Sequence, residues 1–294
     1  ATSFSEINVS CEACHGPAEK HVAMARAGDW EGDAIIGLAD VKSDNRARLE
    51  SCAKCHARRS TVDLDHHAGD KFTDHFLLEL LEPWAARVGS PTYHPDGQID
   101  EEVYVTGSYV QSKMFHKGVK CVDCHDPHTA RTLATGNALC MRCHVPKPEN
   151  PTLYDSPLHH HHPVGTKGSQ CVECHMPEKN YMVVDPRRDH SIRVPRPDLS
   201  VKLGTPNACN RCHDDKDAQW AADWVAKWHG PERARDVRHA ETFAAARKGE
   251  PEVEKRLLAV VSDTESPAFT RASALLALRP FQDCLLYTSD AADE

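Results

Sequence analysis

The sequence has no long apolar run. Nothing in its 294 residues approaches the ~20 consecutive apolar residues of a membrane helix, which excludes an integral helical membrane protein. It is also poor in core-forming side chains, with 40% hydrophobic and 6% aromatic residues, lean for a chain of this length. Positive charge is in deficit: 35 Lys and Arg against 44 Asp and Glu give a net charge of −9, which argues against a nucleic-acid partner. The imbalance still falls short of that of a disordered chain. What the sequence does have is 13 cysteines and 20 histidines. An odd cysteine number cannot be consumed by disulfides alone. An ordinary cytosolic enzyme would not carry cysteine at this density without a metal or redox use.

Twelve cysteines fall into six copies of Cys-x-x-Cys-His: Cys11-Cys14-His15, Cys52-Cys55-His56, Cys121-Cys124-His125, Cys140-Cys143-His144, Cys171-Cys174-His175 and Cys209-Cys212-His213. On a helical turn, residues three and four apart share a face. Two thiols at i and i+3 can reach the vinyl groups of one porphyrin, and the histidine at i+4 can present a ring nitrogen to its iron. The spacing therefore predicts six covalently bound c-type haems with His15, His56, His125, His144, His175 and His213 as proximal ligands. A zinc ribbon would need four ligands per metal and has no use for a histidine after every second cysteine. A thioredoxin-like site has no use for it either.

Six porphyrins within residues 11–213 leave little chain to bury around each. The expected fold is mainly α with much irregular loop, wrapped around haems that themselves form the core. Covalent haem attachment takes place outside the cytoplasm, so a periplasmic or other extracytoplasmic location follows. No signal peptide is visible at Ala1-Thr2-Ser3, and the natural N-terminus is expected to lie upstream.

Fourteen further histidines suffice for a second axial ligand at every iron. Position favours His21, six residues after the first motif, and His94, in a turn at Tyr93-His94-Pro95-Asp96-Gly97. It also favours His116, five residues before Cys121, His128, three after His125, and His190, in Arg187-Arg188-Asp189-His190. The run His159 to His162 between Pro157 and Pro163 is expected to supply a ligand, with His159 and His161 the choices. The alternative for any of these is a solvated residue or a propionate partner. His66, His67, His75, His229 and His239 are expected not to be ligands, and the five methionines to be packing. Cys124 and Cys140 are close in sequence and Cys171 follows, so this central block should carry neighbouring haems.

Cysteines stop after residue 213, and helices become legible over residues 214–283. Asp214 or Asp215 should cap a helix ended by Gly230. Pro231, Pro251 and Pro267 should open three more, ending near Gly249, at Asp263 and before Pro280. Val253, Leu257, Leu258 and Val261 form one apolar stripe, and Phe269, Ala272, Leu275 and Leu276 another. The last pair reads as an αα-hairpin of HEAT or TPR type, either a docking platform for a partner or a cap on the haem domain. The last eleven residues, 284–294, match one frame of a transposase-type sequencing adaptor. They are expected to be read-through on a truncated metagenomic gene, which accounts for the odd cysteine, Cys284.

The strings Val9 to Pro17, Gly107 to Met114, Cys121 to His128 and Tyr181 to His190 resemble periplasmic multihaem cytochromes c of the cytochrome c-554/octahaem reductase group that carry C-terminal helical repeats. The resemblance covers about residues 3–230. It implies more haem motifs upstream, about eight haems in the intact protein, and the distal histidines named above. Some relatives in that wider group reduce nitrogen or sulfur compounds at an open iron. In the nitrite-reducing branch lysine replaces one motif histidine; here all six motifs end in histidine. The leading expectation is therefore electron transfer through bis-histidine haems between a donor, such as a quinol-linked protein, and an acceptor. The alternative is reduction of a small nitrogen or sulfur compound. Each oxidised haem adds about one negative charge, so the loaded protein should suit a basic redox partner.

Overall fold

The structure, a computed structural model, describes residues 9–29, 38–39, 45–82, 91–230 and 238–281. In its first two thirds, short helices are tied to the motifs. α1 (Cys11–His15) is the first motif, and α2 (Glu19–Ala27) follows it. α3 (Asn45–His56) carries the second motif in its last turns. α4 (Phe72–His75), α5 (Thr106–Tyr109) and α6 (Lys113–His116) are single turns. The third motif opens on a 3-10 turn, Cys121–Asp123. α7 (Asn137–Met141) opens the fourth, α8 (Pro157–His160) holds half of the histidine run, and α9 (Cys171–His175) is the fifth. The sixth again opens on a 3-10 turn, Cys209–Arg211. Backbone bonds show the helical turn that the spacing requires. The Cys124 N–H donates to the Cys121 carbonyl at 3.1 Å, and the His144 and His213 N–H groups donate to Cys140 and Cys209 at 3.0 Å.

Three antiparallel hairpins act as clips: β1 (Arg59–Thr61) with β2 (Phe76–Leu78), β3 (His125–Asp126) with β4 (Arg131–Thr132), and β5 (Glu178–Tyr181) with β6 (Asp185–Arg188). The turn expected at His94 is present. The Gly97 N–H donates to the His94 carbonyl at 2.9 Å, and Gly97 takes φ 86°, where a Cβ would also collide with the Gln111 side chain.

The longer helices follow: α10 (Pro197–Leu203), α11 (Ala218–His229), α12 (Arg238–Lys248), α13 (Val253–Ser262) and α14 (Ala268–Ala277). The cap of α11 is Asp217, whose carboxylate accepts from the Trp220 N–H at 2.8 Å, rather than Asp214 or Asp215. Asp217 is the residue immediately before the helix, from which a side chain reaches the third N–H, one of those the first turn leaves without a backbone partner. Gly230 ends α11 as expected, and Gly249 follows α12 at φ 65°. Pro231 lies outside the described residues, as do Cys284 and the adaptor-like stretch. Pro280 does not simply follow the last helix; it sits in a 3-10 turn, Arg279–Phe281.

The main apolar core joins the two halves of the chain. Leu81, Tyr93 and Val103 pack in one cluster with Phe243, Val253, Leu257 and Phe269. Arg247 on α12 clamps the joint, donating to Glu82 at 2.8 Å and to the carbonyls of Tyr93 and Leu81 at 2.9 Å. Two stripe assignments change. Leu258 is exposed, and on α14 Ala272 and Leu275 are exposed while Thr270, Ser273 and Ala274 turn inward. The reason is polar. The Ser273 hydroxyl donates to the Phe269 carbonyl at 2.7 Å and accepts from the otherwise unpaired Leu81 N–H at 3.1 Å. No described helix is long and apolar enough to cross a membrane.

Candidate functional site

From residue 113 to residue 180, a stretch holding three motifs, the only buried residues are Ser156 and Ser169. This part of the chain encloses no side-chain core of its own, as expected of polypeptide that closes around a prosthetic group.

The motifs lie in single file, in chain order. Cys14 is within electrostatic range of Cys52 and Cys55, and Lys54 donates to the Ala13 carbonyl. The Cys121 thiol donates to Cys52, which draws the Cys52 thiol below its ordinary range. Cys124 neighbours Cys140 and Cys143, and Arg142 donates to the Asp123 carbonyl at 2.6 Å. The Cys171 thiol donates to Cys140. Asn137 fastens the same step, accepting from the Cys171 N–H at 2.9 Å and donating to the Ser169 carbonyl at 2.9 Å. Cys174 lies beside Cys209 and Cys212.

Four motif histidines face a second histidine at nearly one spacing. Ring centres are 6.4 Å apart for His15 and His128, 6.3 Å for His125 and His190, 6.2 Å for His175 and His159, and 6.1 Å for His213 and His162. These rings do not touch; the stacked pair His161 and Trp228 stands at 4.1 Å. Two imidazoles on opposite sides of one metal stand about 6 Å apart, from metal–nitrogen bonds of about 2 Å and about 1 Å more to each ring centre. The four gaps each fit one metal ion.

Ring tautomers agree. A carbonyl can only accept, so Nδ1 is the donor where His175 meets the Arg193 carbonyl at 2.9 Å and His190 meets the Arg188 carbonyl at 2.9 Å. His162 does the same with the His160 carbonyl at 2.5 Å. Each is left with an Nε2 lone pair for a metal, and such an outer hydrogen bond is how ligating histidines are aimed. Burial lowers the His190 pKa, which favours the neutral imidazole that metal ligation requires. The β5–β6 hairpin delivers it, pinned to the fifth motif by Arg188, which pairs with Glu173 at 2.8 Å and donates to the Met176 carbonyl at 3.1 Å. The tight turn at β3 sets His125 toward His190 and His128 toward His15, with Asp126 accepting from the His128 N–H at 2.9 Å.

A family model for the doubled CXXCH motif matches residues 113–149. The crystal structure of the outer cell wall cytochrome OcwA is similar to this chain at a TM-score of 0.53 and 15% identity, over 95% of this chain and 71% of that one. No curated protein matches. The chain thus carries the doubled CXXCH motif and has a fold similar to that of a multihaem cytochrome. The expected architecture, short helices and irregular loops, is the one observed, with three small hairpins besides.

Within this chain the other expected ligands are placed differently. His161 does not face a motif histidine. It takes a left-handed conformation, φ 57°, and stacks on Trp228, and it is His162 that comes opposite His213. The run was expected to supply a ligand, and the structure sets two of its rings opposite motif histidines. The 159/162 spacing repeats the 125/128 spacing, which was the signal in the sequence for this. His94 is directed at the Asp100 carboxylate, 3.3 Å away, and burial lowers its pKa. His116 packs edge-on against Phe115 at 5.3 Å. His21 lies in α2. No imidazole among the described residues stands at the 6 Å spacing from His56 or His144; the ring against His144 is Tyr154, edge-on at 5.7 Å. His66 and His75 contact each other at 5.1 Å, with His75 3.2 Å from Asp63. Zinc would need converging ligands, and among the described residues no group of three or more His, Cys, Asp or Glu is placed to hold a bare metal ion.

Proposed function

We propose that this cytochrome transfers electrons outside the cytoplasm through six c-type haems, one per motif. The observation that carries the proposal is the succession of motifs, each within electrostatic range of the next, combined with four histidine pairs spaced for a metal. When bound, each haem supplies a one-electron ferric/ferrous couple. The chain's own residues do the rest. The twelve motif cysteines hold the groups. His128, His190, His159 and His162 are the second ligands opposite His15, His125, His175 and His213. Lys54, Arg142, Asn137 and Arg188 keep neighbouring motifs in register. The name of the OcwA relative, an outer cell wall cytochrome, supports the compartment. Packing of α12 to α14 on Leu81, Tyr93 and Val103 supports a capping role for the tail, and its exposed Leu258 and Leu275 leave an outer face for a docking partner.

One observation favours a second reading. His56 and His144 have no imidazole opposite among the described residues, so either centre is a place for an open iron and for reduction of a small nitrogen or sulfur compound. His21, His94 and His116 are the remaining ligand candidates. Carbon monoxide titration of the reduced holoprotein, with haem counted by pyridine haemochrome, separates the readings. Six haems and no carbon monoxide bound supports electron transfer. One or two equivalents bound per chain support the reductase. Fewer than six haems, or a spectrum without low-spin bands, overturns the proposal.

A further inference from the structure

Trp220, Trp224 and Trp228 hold three of the chain's five tryptophans in one helix. At i, i+4 and i+8 they share one face of α11. That face is an unbroken series of rings. Trp220 lies 4.9 Å from His213, Trp220 and Trp224 are 6.4 Å apart, Trp224 and Trp228 are 5.4 Å apart, and Trp228 stacks on His161 at 4.1 Å and 12°. One end of the stripe therefore presses on the proximal histidine of the sixth motif. The other end holds the run from which the facing histidine comes.

The run itself needs holding. α8 starts with Ser156 accepting from the Leu158 N–H at 3.2 Å, and it lasts one turn. His161 then reverses the chain in the left-handed region, where a residue with a Cβ rarely rests unless its surroundings impose it. That reversal lets two histidines three residues apart serve different partners: His159 faces His175 and His162 faces His213. The ring that sits on the reversed residue is Trp228. Nothing in the electron-transfer proposal uses this contact.

We propose that the Trp228–His161 stack is a lock that fixes the axial ligation of two consecutive irons at once, with His161 and Trp228 as positioning residues and α11 as the brace. The proposal rests on the six-haem reading, which assigns His159 and His162 as ligands. A ligand role for His161 and a lock role predict opposite results. Phenylalanine can stack but cannot ligate.

The test uses the holoprotein and low-temperature electron paramagnetic resonance, with pyridine haemochrome as the haem count. His161→Phe is expected to keep the wild-type number of low-spin haems. Trp228→Ala is expected to move two further haems to high-spin together, Trp228→Phe to restore both, and His159→Ala or His162→Ala to move one each. A high-spin haem in His161→Phe beyond those of the wild type, or an unchanged spectrum in Trp228→Ala, overturns the lock while the wild-type spectrum still upholds the six-haem reading. A wild type without low-spin haem overturns that reading instead. Should Trp228→Ala fail to accumulate, His161→Ala decides. It loses the stack and keeps the Cβ that disfavours the left-handed turn, and the lock requires two added high-spin haems from it; none overturns it.

Discussion

His239 shows what one buried side chain can do to the whole stability curve. It lies at the start of α12 with its ring edge-on to Phe243, and burial drives its pKa down to about 4. Arg193 and Arg196 press it further down, while Asp96 and Asp263 act against them. The folded chain thus keeps His239 neutral where the unfolded chain, near 6.5, takes up a proton. Its contribution is complete above about pH 6.5 and is lost as pH falls toward 4, at most about 3 kcal/mol over that window. Thermal unfolding between pH 7 and 4 should show a steeper loss for the wild type than for His239→Phe; parallel curves would count against it. At this scale the six motifs were legible, because their spacing repeats without exception. Of the histidines that face a motif histidine, His128, His159 and His190 were named from position, His128 most directly because it sits beside a motif in a tight turn. His162 required the reversal at His161, a backbone event that no residue-type pattern announces.

Helices α12 to α14 hold by a few polar contacts as much as by apolar area. Arg247 satisfies the Leu81 and Tyr93 carbonyls and the Glu82 carboxylate; burial pushes Glu82 up, and Arg247 offsets only part of that shift. Arg247→Met should keep the aliphatic packing and leave those acceptors unpaired, at a cost of about 2 to 4 kcal/mol. Hydrogen exchange should then speed up across residues 238–278 and leave the motif helices α1 and α9 unchanged. Uniform exchange throughout would show that the joint is not where Arg247 acts. The existence of these helices was legible from proline and glycine punctuation. The inward face of α14 was not. A serine turned into the core looks like a surface residue until the unpaired Leu81 N–H, nearly two hundred residues away in sequence, is known to need it. The cap at Asp217 was masked by two nearer-looking aspartates.

For the whole molecule, charge decides who meets it. The polypeptide is acidic, and haem propionates make the loaded protein more so. Reduction by a basic partner protein should slow as ionic strength rises from about 0.01 to 0.15 M, as the Debye length shortens from about 30 to 8 Å. Stopped-flow rates that rise with salt would indicate an acidic partner.

The facing of His15 by His128 also sets a timetable. In chain order Cys11, Cys14 and His15 come well before the ring opposite His15, and the second and third motifs pass in between. The fifth and sixth motifs are the reverse: His159 and His162 emerge before Cys171 and Cys209. On the proposed pairing, the His15 site waits half-ligated while the second and third motifs emerge, whereas the fifth and sixth sites find their second ligand already in place. A chain interrupted before residue 128 would then carry an unfinished, half-ligated centre at His15.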